Sequence, residues 1–386
     1  MELDDDDQQI LDGEYGETRA MMLEMLVALG TVYGAKRLIP IASAQVSGAS
    51  YKTIGRWGLS WLQGLDARAV VPAVLNPIGM PRDEWREMGG ISREFAEKQE
   101  AVLRAYRRLG IALECTCTPY EIRIIEYGDH LAWSESSAVS YANSVIGART
   151  NREGGPAALA AALIGKTPEY GLHILENRRP EVVVSLTGMS ERLHSFGALG
   201  HVAGEKIGTR IPVFTGIRPK RDELKALGAA MAATGTVPLY HVEGITPEAR
   251  VFEFGTGDLD RITIDAAEVD ALFEEIAVDA VAVGCPHLSP AALEDLARLL
   301  QGKTVTRPLY VFAARGVIQA HRETVRAIER SGARVYPDTC MVVSPAMEQF
   351  DAVMVDSGKA FSYLPEMVGA RARIGTLTEC VAVATS

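Results

Sequence analysis

Five cysteines in this 386-residue chain have side chains that could do chemistry beyond packing. Cys115 and Cys117 lie one residue apart, whereas Cys285, Cys340 and Cys380 are distant from them and from one another. An odd number of sparse cysteines is not a disulfide framework, and the acidic start MELDDDDQQI resembles no export signal, so we expect a reducing, cytoplasmic setting. A cysteine there can be a buried apolar group, half of a redox couple or a metal ligand. The spacing of the first pair alone does not choose among these roles.

A repeat within the chain helps to choose. The segment RAYRRLGIALECTC (104–117) resembles RAIERSGARVYPDTC (326–340), and SSAVSYAN (136–143) resembles GKAFSYLP (358–365). Each copy predicts a helix end, a glycine, a strand and then Thr-Cys. The offset between the copies is 222 residues at the helix and at the tyrosines, and 223 at the cysteines. We interpret the segments as two copies of one βα unit; chance similarity between α/β units is the alternative.

The repeat distinguishes individual positions. Two units related by a pseudo-two-fold axis would place Cys117 and Cys340 at equivalent strand ends that face one cleft. Cys115 has no cysteine counterpart in the second copy. Lys359 stands where the first copy has Ser137. A difference between otherwise matched loops indicates distinct roles, so we predict that Lys359 contacts substrate.

A third cysteine, Cys285, ends the buried run DAVAVGC (279–285). Parallel sheets bind ligands at the carboxyl ends of their strands. Three cysteines on three strand ends suit an iron–sulfur cluster, which normally takes four thiolates. If the protein supplies only three, one iron keeps a vacant coordination position and can act as a Lewis acid on a hydroxyl or carboxylate. One alternative to the cluster is zinc, for which His partners are missing. The other alternative is that the three cysteines are inert buried thiols. His287 more simply orients or contacts substrate, and Cys380 is predicted to be core.

Several polar loops could bind an anionic substrate. AQVSGASYKTIG (44–55) follows the predicted strand RLIPIAS and precedes a predicted helix at WGLSWLQGL, so its backbone N–H groups, with Lys52, could bind an anion. An ordinary helix cap is the alternative. In LNPIGMP (75–81) an asparagine ends another predicted strand, where it could instead brace a turn. SVIGARTNREGGP brings Arg149 and Arg152 into a glycine-rich loop that is suited to a carboxylate or phosphate, or is simply solvated.

Composition narrows the class of protein. The formal charge is −11, without a block of Lys or Arg, which argues against nucleic acid and anionic membranes as partners. No apolar run approaches the roughly 18 residues that a membrane span needs. No G-x-G-x-x-G opens a predicted βα unit, and no Ser-His-Asp constellation is evident, so neither a dinucleotide site nor a serine hydrolase is supported.

The order of predicted elements indicates the fold. From residue 180 onward, β-branched runs such as EVVVSLTG and PLYVFAA alternate with helical stretches such as SPAALEDLARLLQG, which predicts parallel sheets with helices on their faces. The length predicts more than one domain. We predict an N-terminal α/β region at 1–165 that carries Ser47–Ser50, Asn76 and Cys117, a middle α/β domain at 166–265, and a C-terminal α/β domain at 266–386 that carries Cys285, Cys340 and Lys359.

Motifs along nearly the whole chain resemble the aconitase X family. They are EYG, VSGASYKTIG, LNPIGM, CTCTPY, YANSVIGARTNREGGPAALAAALIGKTPEYG, GCPHLS, PDTC and DSGKA. The resemblance implies a hydro-lyase of aconitase-like architecture, with several three-layer α/β/α domains around a central cleft. It also implies an iron–sulfur cluster, [4Fe–4S], on Cys117, Cys285 and Cys340. The predicted substrate contacts, of which the first five match positions of the family's site, are Gly48, Ala49, Ser50, Asn76, Pro77 and Lys359.

Two loops narrow the implied activity within the family. SGASYK and NPIGM resemble the archaeal-type large subunit of phosphomevalonate dehydratase, which implies dehydration of (R)-mevalonate 5-phosphate to trans-anhydromevalonate 5-phosphate in a modified mevalonate pathway to isoprenoids. The cluster would act on the hydroxyl. One departure from the family pattern is Gln45, where members often have His. The alternatives are a cis-3-hydroxy-L-proline dehydratase and a degenerate binding or scaffold subunit without the chemistry.

The resemblance also implies a partner. The family has a small swivelling subunit, sometimes fused to the large one. Because this chain ends at Ser386, directly after the last predicted helix, we expect that subunit to be a separate protein in a heterodimer. The resemblance implies that it closes over the cluster and supplies the catalytic base, a serine, so no catalytic residue is assigned in this chain.

Overall fold

Three β-sheets with helices packed against them organise the chain. The computed structural model describes residues 1–251 and 259–386. Neighbouring strands run parallel in all three sheets. Parallel strands need crossover connections, which helices provide here. The predicted α/β class with parallel sheets is therefore confirmed.

The first sheet has the strand order β4-β3-β2-β5. Strands β2, β3 and β5 are buried along their whole length, as expected for strands covered on both faces. A separate antiparallel pair joins β1 to β6. The elements are α1 (Asp5–Leu11), α2 (Glu17–Val32), β1 (Leu38–Pro40), β2 (Ser43–Val46), α3 (Tyr51–Gly64), β3 (Ala73–Leu75), α4 (Trp85–Met88), α5 (Arg93–Arg108), β4 (Ala112–Cys115), β5 (Leu131–Trp133), α6 (Ser136–Tyr141), α7 (Gly155–Ile164) and β6 (Lys166–Pro168).

The second sheet has the order β10-β7-β8-β9. Its elements are β7 (Val182–Thr187), α8 (Phe196–Ile207), β8 (Pro212–Phe214), α9 (Arg221–Thr234), β9 (His241–Val242), β10 (Asp260–Asp265) and α10 (Ala266–Asp270). Helix α9 packs against α8 of its own region, against α6 of the first region and against α14, introduced below, of the third. The second region therefore packs closely against the other two.

The third sheet has the order β13-β12-β11-β14-β15. Its elements are β11 (Ala280–Leu288), α11 (Pro290–Leu300), β12 (Leu309–Ala313), α12 (Arg315–Ala320), α13 (Arg322–Arg330), β13 (Arg334–Tyr336), β14 (Ala352–Val355), α14 (Gly358–Met367), β15 (Arg371–Ile374) and α15 (Leu377–Ala384). Each of the three sheets lies within one of the regions predicted as 1–165, 166–265 and 266–386, whereas β6, at the start of the second region, pairs with β1. The limits themselves stay a prediction.

Local structure departs from the sequence prediction before α3. The run RLIPIAS does not form one strand, because β1 ends at Pro40 and the chain enters the first sheet only at Ser43. Helix α3 begins at Tyr51, earlier than predicted, and is broken at Gly55, whose φ is 59°. Glycine adopts this left-handed backbone without steric strain. The sequence prediction therefore found only the second part of α3.

Close helix packing fixes the start of α14. A Cβ atom at Gly358 would overlap the carbonyl group of Gly197 in α8. Only glycine permits this approach, which holds the first turn of α14 against the second region. Within residues 1–251 and 259–386, no helix has both the length and the apolar character that crossing a membrane requires.

Candidate functional site

A cavity of about 370 Å³ lies where strand ends of the first and third sheets meet. Residues that follow β2, β3, β4 and β5 line one side, and residues from β11 and the segments after β13 and β14 line the other. The carboxyl ends of parallel strands are where such sheets bind ligands. Its polar lining residues are Ser47, Asn76, Cys117, Ser134, Glu135, Ser136, Arg152, Cys285, Cys340, Lys359, Tyr363 and Glu366.

A larger cavity of about 870 Å³ lies beside the ends of β7 and β8 in the second sheet. None of the predicted site residues lines it. The smaller cavity is lined by the three predicted cysteine ligands and by charged side chains, so we consider the smaller cavity the functional site.

The three predicted cysteine ligands come together in this cavity. Cys117, Cys285 and Cys340 are 5%, 7% and 9% exposed. Burial raises the pKa of Cys117 to about 12, raises that of Cys285 well above its ordinary value and also raises that of Cys340. As free thiols they would stay protonated at neutral pH, so only a bound metal would hold them as thiolates. The other two cysteines do not line the cavity.

The donor set does not suit a single metal ion. Within the two described segments, no group of three or more His, Cys, Asp or Glu side chains is placed to hold one ion. An iron–sulfur cluster distributes its thiolate ligands over several iron atoms, so the sulfurs need not converge on one point. Three thiols around a cavity of this size fit a cluster and would leave one iron without a protein thiolate.

His287 has a different role from the one predicted. It is fully buried and does not line the cavity. Its Nε2 lies 2.8 Å from the Thr339 carbonyl oxygen, which can only accept a hydrogen bond, so Nε2 donates. Its Nδ1 then accepts from the Thr116 hydroxyl at 2.9 Å, and its backbone N–H donates to Cys117 Sγ at 3.2 Å. Burial lowers the pKa of His287 to about 4, so the ring is a neutral brace between the cysteine loops.

Lys359 lines the cavity as part of a buried ion pair that the sequence analysis did not predict. Its Nζ donates to Glu135 Oε1, and it lies 3.3 Å from Ser137 Oγ. Glu135 also accepts from Ser137 Oγ at 2.5 Å and from the Ala138 N–H at 2.7 Å. Burial alone would raise the pKa of Glu135, but Lys359 and these hydrogen bonds outweigh burial, so the pKa is lowered. Burial alone would lower the pKa of Lys359, but the negative charge of Glu135 outweighs burial, so the pKa is raised. Both groups are therefore charged.

Glu135 was overlooked because it looks like an ordinary helix cap. It occupies the N-cap position of α6, where it accepts from Ala138. Ser357 occupies the same position in α14, 222 residues later. The sequence signal that could have revealed Glu135 was the difference between Glu135 in the first copy and Ser357 in the second, which lies two residues before Lys359.

The other predicted substrate contacts divide into two groups. Asn76 and Pro77 line the cavity, and the Oδ1 atom of Asn76 is buried without a hydrogen-bond partner. Gly48, Ala49 and Ser50 do not line it; their neighbour Ser47 does.

Gln99 explains where that loop lies. Its Nε2 donates to the Ala49 carbonyl at 2.7 Å, and its Oε1 accepts from the N–H groups of Tyr51 and Gly79. Gln99 therefore ties the loop before α3 to the loop after β3, behind the wall of the cavity.

Gln45, for which the resemblance implied a departure from the family pattern, lies beside the site. It is fully buried, and its Nε2 donates to the Thr116 carbonyl at 2.8 Å. Its Oε1 accepts from the Glu135 N–H at 3.4 Å. Gln45 therefore links the segment before Cys117 to the start of α6.

Asp338 joins the two cysteine-bearing regions. It is fully buried with a φ of 67°, and it pairs with Arg82 at 3.0 Å and with Arg315. Its carbonyl oxygen accepts from the Ile78 N–H at 2.8 Å. These contacts hold the segment before Cys340 against the first region.

Comparison with known proteins shows the same family over the whole chain. Sequence models of the first, second and third domains of aconitase X match residues 1–176, 180–274 and 278–386. The crystal structure of Thermococcus kodakaraensis aconitase X in its holo-form superposes with a TM-score of 0.92, at 42% identity and covering 100% of both chains.

Curated relatives carry two names. The phosphomevalonate dehydratase large subunit of Methanosarcina mazei is 52% identical over 100% of this chain and 97% of that protein. The protein of the same name from Methanothermobacter thermautotrophicus is 47% identical over 95% of this chain and 94% of that protein. The cis-3-hydroxy-L-proline dehydratase of Pseudomonas aeruginosa is 34% identical over 99% of this chain and 70% of that protein. This chain belongs to the aconitase X family.

Proposed function

We propose that this chain is the large subunit of a hydro-lyase that dehydrates (R)-mevalonate 5-phosphate to trans-anhydromevalonate 5-phosphate. The observation that carries the proposal is the meeting of Cys117, Cys285 and Cys340 in one cavity, beside a buried ion pair. Relatives named phosphomevalonate dehydratase large subunit, at 37–52% identity, support the substrate. Such an enzyme would act in a modified mevalonate pathway.

The proposed cofactor is an iron–sulfur cluster, [4Fe–4S], held by these three cysteines. An aconitase-like family suggests such a cluster, and the buried thiols fit it. When bound, the cluster supplies a Lewis acid that makes the tertiary hydroxyl a better leaving group.

The chain's own residues would bind and orient the substrate. Asn76 Oδ1 and Ser134 Oγ are buried in the cavity wall without partners, so each can hydrogen-bond a substrate group. Lys359 keeps its charge through Glu135 and presents an ammonium group at the cavity. Gly48, Ala49 and Ser50 do not line this cavity, so they stay proposed contacts only through the family resemblance and their place next to Ser47, which does line it.

The proposed partner is the small subunit of the same enzyme. The curated relatives are named as large subunits. Exposed residues, among them Arg152, Glu366 and Met367, line the cavity mouth, where a second protein can close it. Closure would exclude bulk water and strengthen the polar contacts with substrate. The small subunit would then supply the base that removes the proton next to the carboxylate.

The test is turnover by the reconstituted complex. The chain is purified anaerobically, its iron and sulfide are measured, the small subunit is added, and mevalonate 5-phosphate and cis-3-hydroxy-L-proline are assayed in parallel. We expect a brown protein with turnover of the first compound only. Turnover of hydroxyproline alone would reassign the substrate within the family.

The same preparation tests the alternative of a scaffold without chemistry. A Cys285→Ser variant should turn over neither compound. Unchanged turnover in that variant, or a colourless protein that cannot be reconstituted, would contradict the cluster-dependent activity.

A further inference from the structure

One positive side chain of the cavity has no partner among the residues that the structure describes. Arg152 is exposed and lines the cavity, and within residues 1–251 and 259–386 it makes no hydrogen bond or ion pair. The exposed Glu366 lines the same cavity without pairing with it. An unopposed guanidinium at the mouth of a ligand cavity attracts anions.

Three other basic residues near the site, Lys52, Lys359 and Arg149, are either paired or lie outside the cavity. Lys52 pairs with Glu348 at 2.6 Å and donates to a backbone carbonyl at 2.8 Å. The charge of Lys359 is compensated by Glu135. Arg149 does not line the cavity. Of these four, only Arg152 offers the cavity an uncompensated positive charge.

Arg152 has a neutral donor beside it. A parallel bridge pairs Arg152 with Trp133, and the Glu153 N–H donates to the Trp133 carbonyl at 2.9 Å. Ser134 follows Trp133, lines the cavity and keeps a buried hydroxyl without a partner. Ser134 and Arg152 therefore line one cavity from neighbouring backbone segments.

We propose that Arg152 and Ser134 form an oxyanion subsite that binds one anionic end of the substrate, the carboxylate or the phosphate. Both ends present oxygen atoms that accept two parallel hydrogen bonds from a guanidinium and one from a hydroxyl. This inference rests on the proposed function, whose substrate has both groups.

The first experiment measures kcat and KM for mevalonate 5-phosphate in the reconstituted complex. Arg152→Gln should raise KM about 10- to 100-fold, the range expected for a lost hydrogen bond to a charged group, with a smaller change in kcat. Arg152→Lys should lose less, because it keeps the charge but not the fork of donors. Ser134→Ala should raise KM by a few-fold, since a neutral hydrogen bond contributes less.

Arg107→Gln is the matched control. Arg107 is an exposed arginine of α5 that does not line the cavity, and its loss should leave KM unchanged. A KM for Arg152→Gln within twofold of the wild-type value overturns the subsite. Thermal unfolding of each variant at the wild-type temperature shows that the fold is retained.

The second experiment identifies the bound end without turnover. Inorganic phosphate and 3,3-dimethylbutanoate are titrated calorimetrically into the wild-type and Arg152→Gln complexes. Weaker binding of only one probe to Arg152→Gln assigns the subsite to that end of the substrate. Unchanged affinity for both, with an unchanged KM, contradicts the proposal.

The two experiments separate this inference from the proposed function. A wild-type complex that does not turn over mevalonate 5-phosphate but binds a probe through Arg152 contradicts the function and supports the subsite. A complex that neither turns over the substrate nor binds either probe contradicts both.

Discussion

The first and third sheets have the same strand order but carry different residues at their carboxyl ends. Strands β4-β3-β2-β5 and β13-β12-β11-β14 follow one pattern of parallel neighbours, to which the third sheet adds β15. Cys117 follows β4 and Cys340 follows the corresponding strand β13. The shared order supports the interpretation of two copies and extends it beyond the matching sequence segments.

The differences between the copies build the rest of the site. At the start of α6 the first copy has Glu135 and Ser137, whereas at the start of α14 the second has Ser357 and Lys359. The acid of one copy pairs with the base of the other, because the two helix starts face each other across the cavity. A similar asymmetry supplies the third thiol: Cys285 lies in β11, whereas the corresponding strand β2 is followed by Ser47. Matched positions therefore supply two sulfurs, and unmatched positions supply the third sulfur and the charges.

The largest effect should come from breaking the cysteine set. Serine at Cys117, Cys285 or Cys340 should remove most iron and sulfide and lower turnover more than about 100-fold, since even outer-shell partners of metals cost 10–100-fold. Iron and sulfide analysis, absorbance and kcat measure this. Cys115→Ser and Cys380→Ser are the controls and should keep their iron. Full turnover in Cys340→Ser would contradict the equivalence of the two copies.

The ion pair between the copies should give the next largest effect. Glu135→Ala leaves the Lys359 ammonium buried without a partner, and should lower the free energy of unfolding by about 3–5 kcal/mol. Urea denaturation measures it. The double variant Glu135→Leu/Lys359→Met should lose less than the sum of the single variants, because no charge remains unpaired. Glu94→Ala, which breaks the exposed pair with Lys98, should change the free energy of unfolding far less than Glu135→Ala, because water screens that pair.

A buried acid outside the matched segments should make stability depend on pH. Glu153 is 6% exposed, and burial raises its pKa from 4.5 to about 7. Between these values the folded protein binds more protons than the unfolded chain, so rising pH should remove roughly 3 kcal/mol of stability through this group. Glu153→Gln should therefore abolish this decline relative to wild type in urea denaturation at pH 4.5–7.5. Glu294→Gln, at an exposed position, is the control and should leave the decline of stability with pH unchanged. Parallel pH profiles of wild type and Glu153→Gln would contradict the assignment of the decline to Glu153.

The smallest effect should follow from the position where Asp338 replaces the cysteine of the first copy. Asp338→Asn keeps an acceptor and tolerates the left-handed backbone, so it should lose about 1–2 kcal/mol of unfolding free energy. The loss is limited because Arg82 and Arg315 are 21% and 18% exposed and water can solvate them. Asp295→Asn, at the exposed pair with Arg298, should be nearly neutral in urea denaturation. A loss of less than about 0.5 kcal/mol in Asp338→Asn would show that the clamp does not stabilise the fold.

Sequence reasoning reached the fold and part of the site. The alternation of β-branched runs and helices indicated parallel sheets, and the helix end predicted in the repeat segment at 104–117 is the end of α5 at Arg108. The predicted strand boundaries near β1 and β2 were wrong because one part of RLIPIAS pairs with β6 and its last residue pairs with β5 in the first sheet. Pairing with distant strands decides where each strand begins. Local propensity contains no such information.

The sequence by itself determined the α/β class, the internal repeat and the three cysteines, because periodicity, spacing and residue type are properties of the chain. Only the tertiary structure decided that Glu135 pairs with Lys359, that His287 braces the cysteine loops and that Arg152 finds no partner among the described residues. Each of these depends on which strand ends and helix starts meet across the cavity. The same side chain is a cap, a brace or a ligand group according to the burial and the partners that packing gives it.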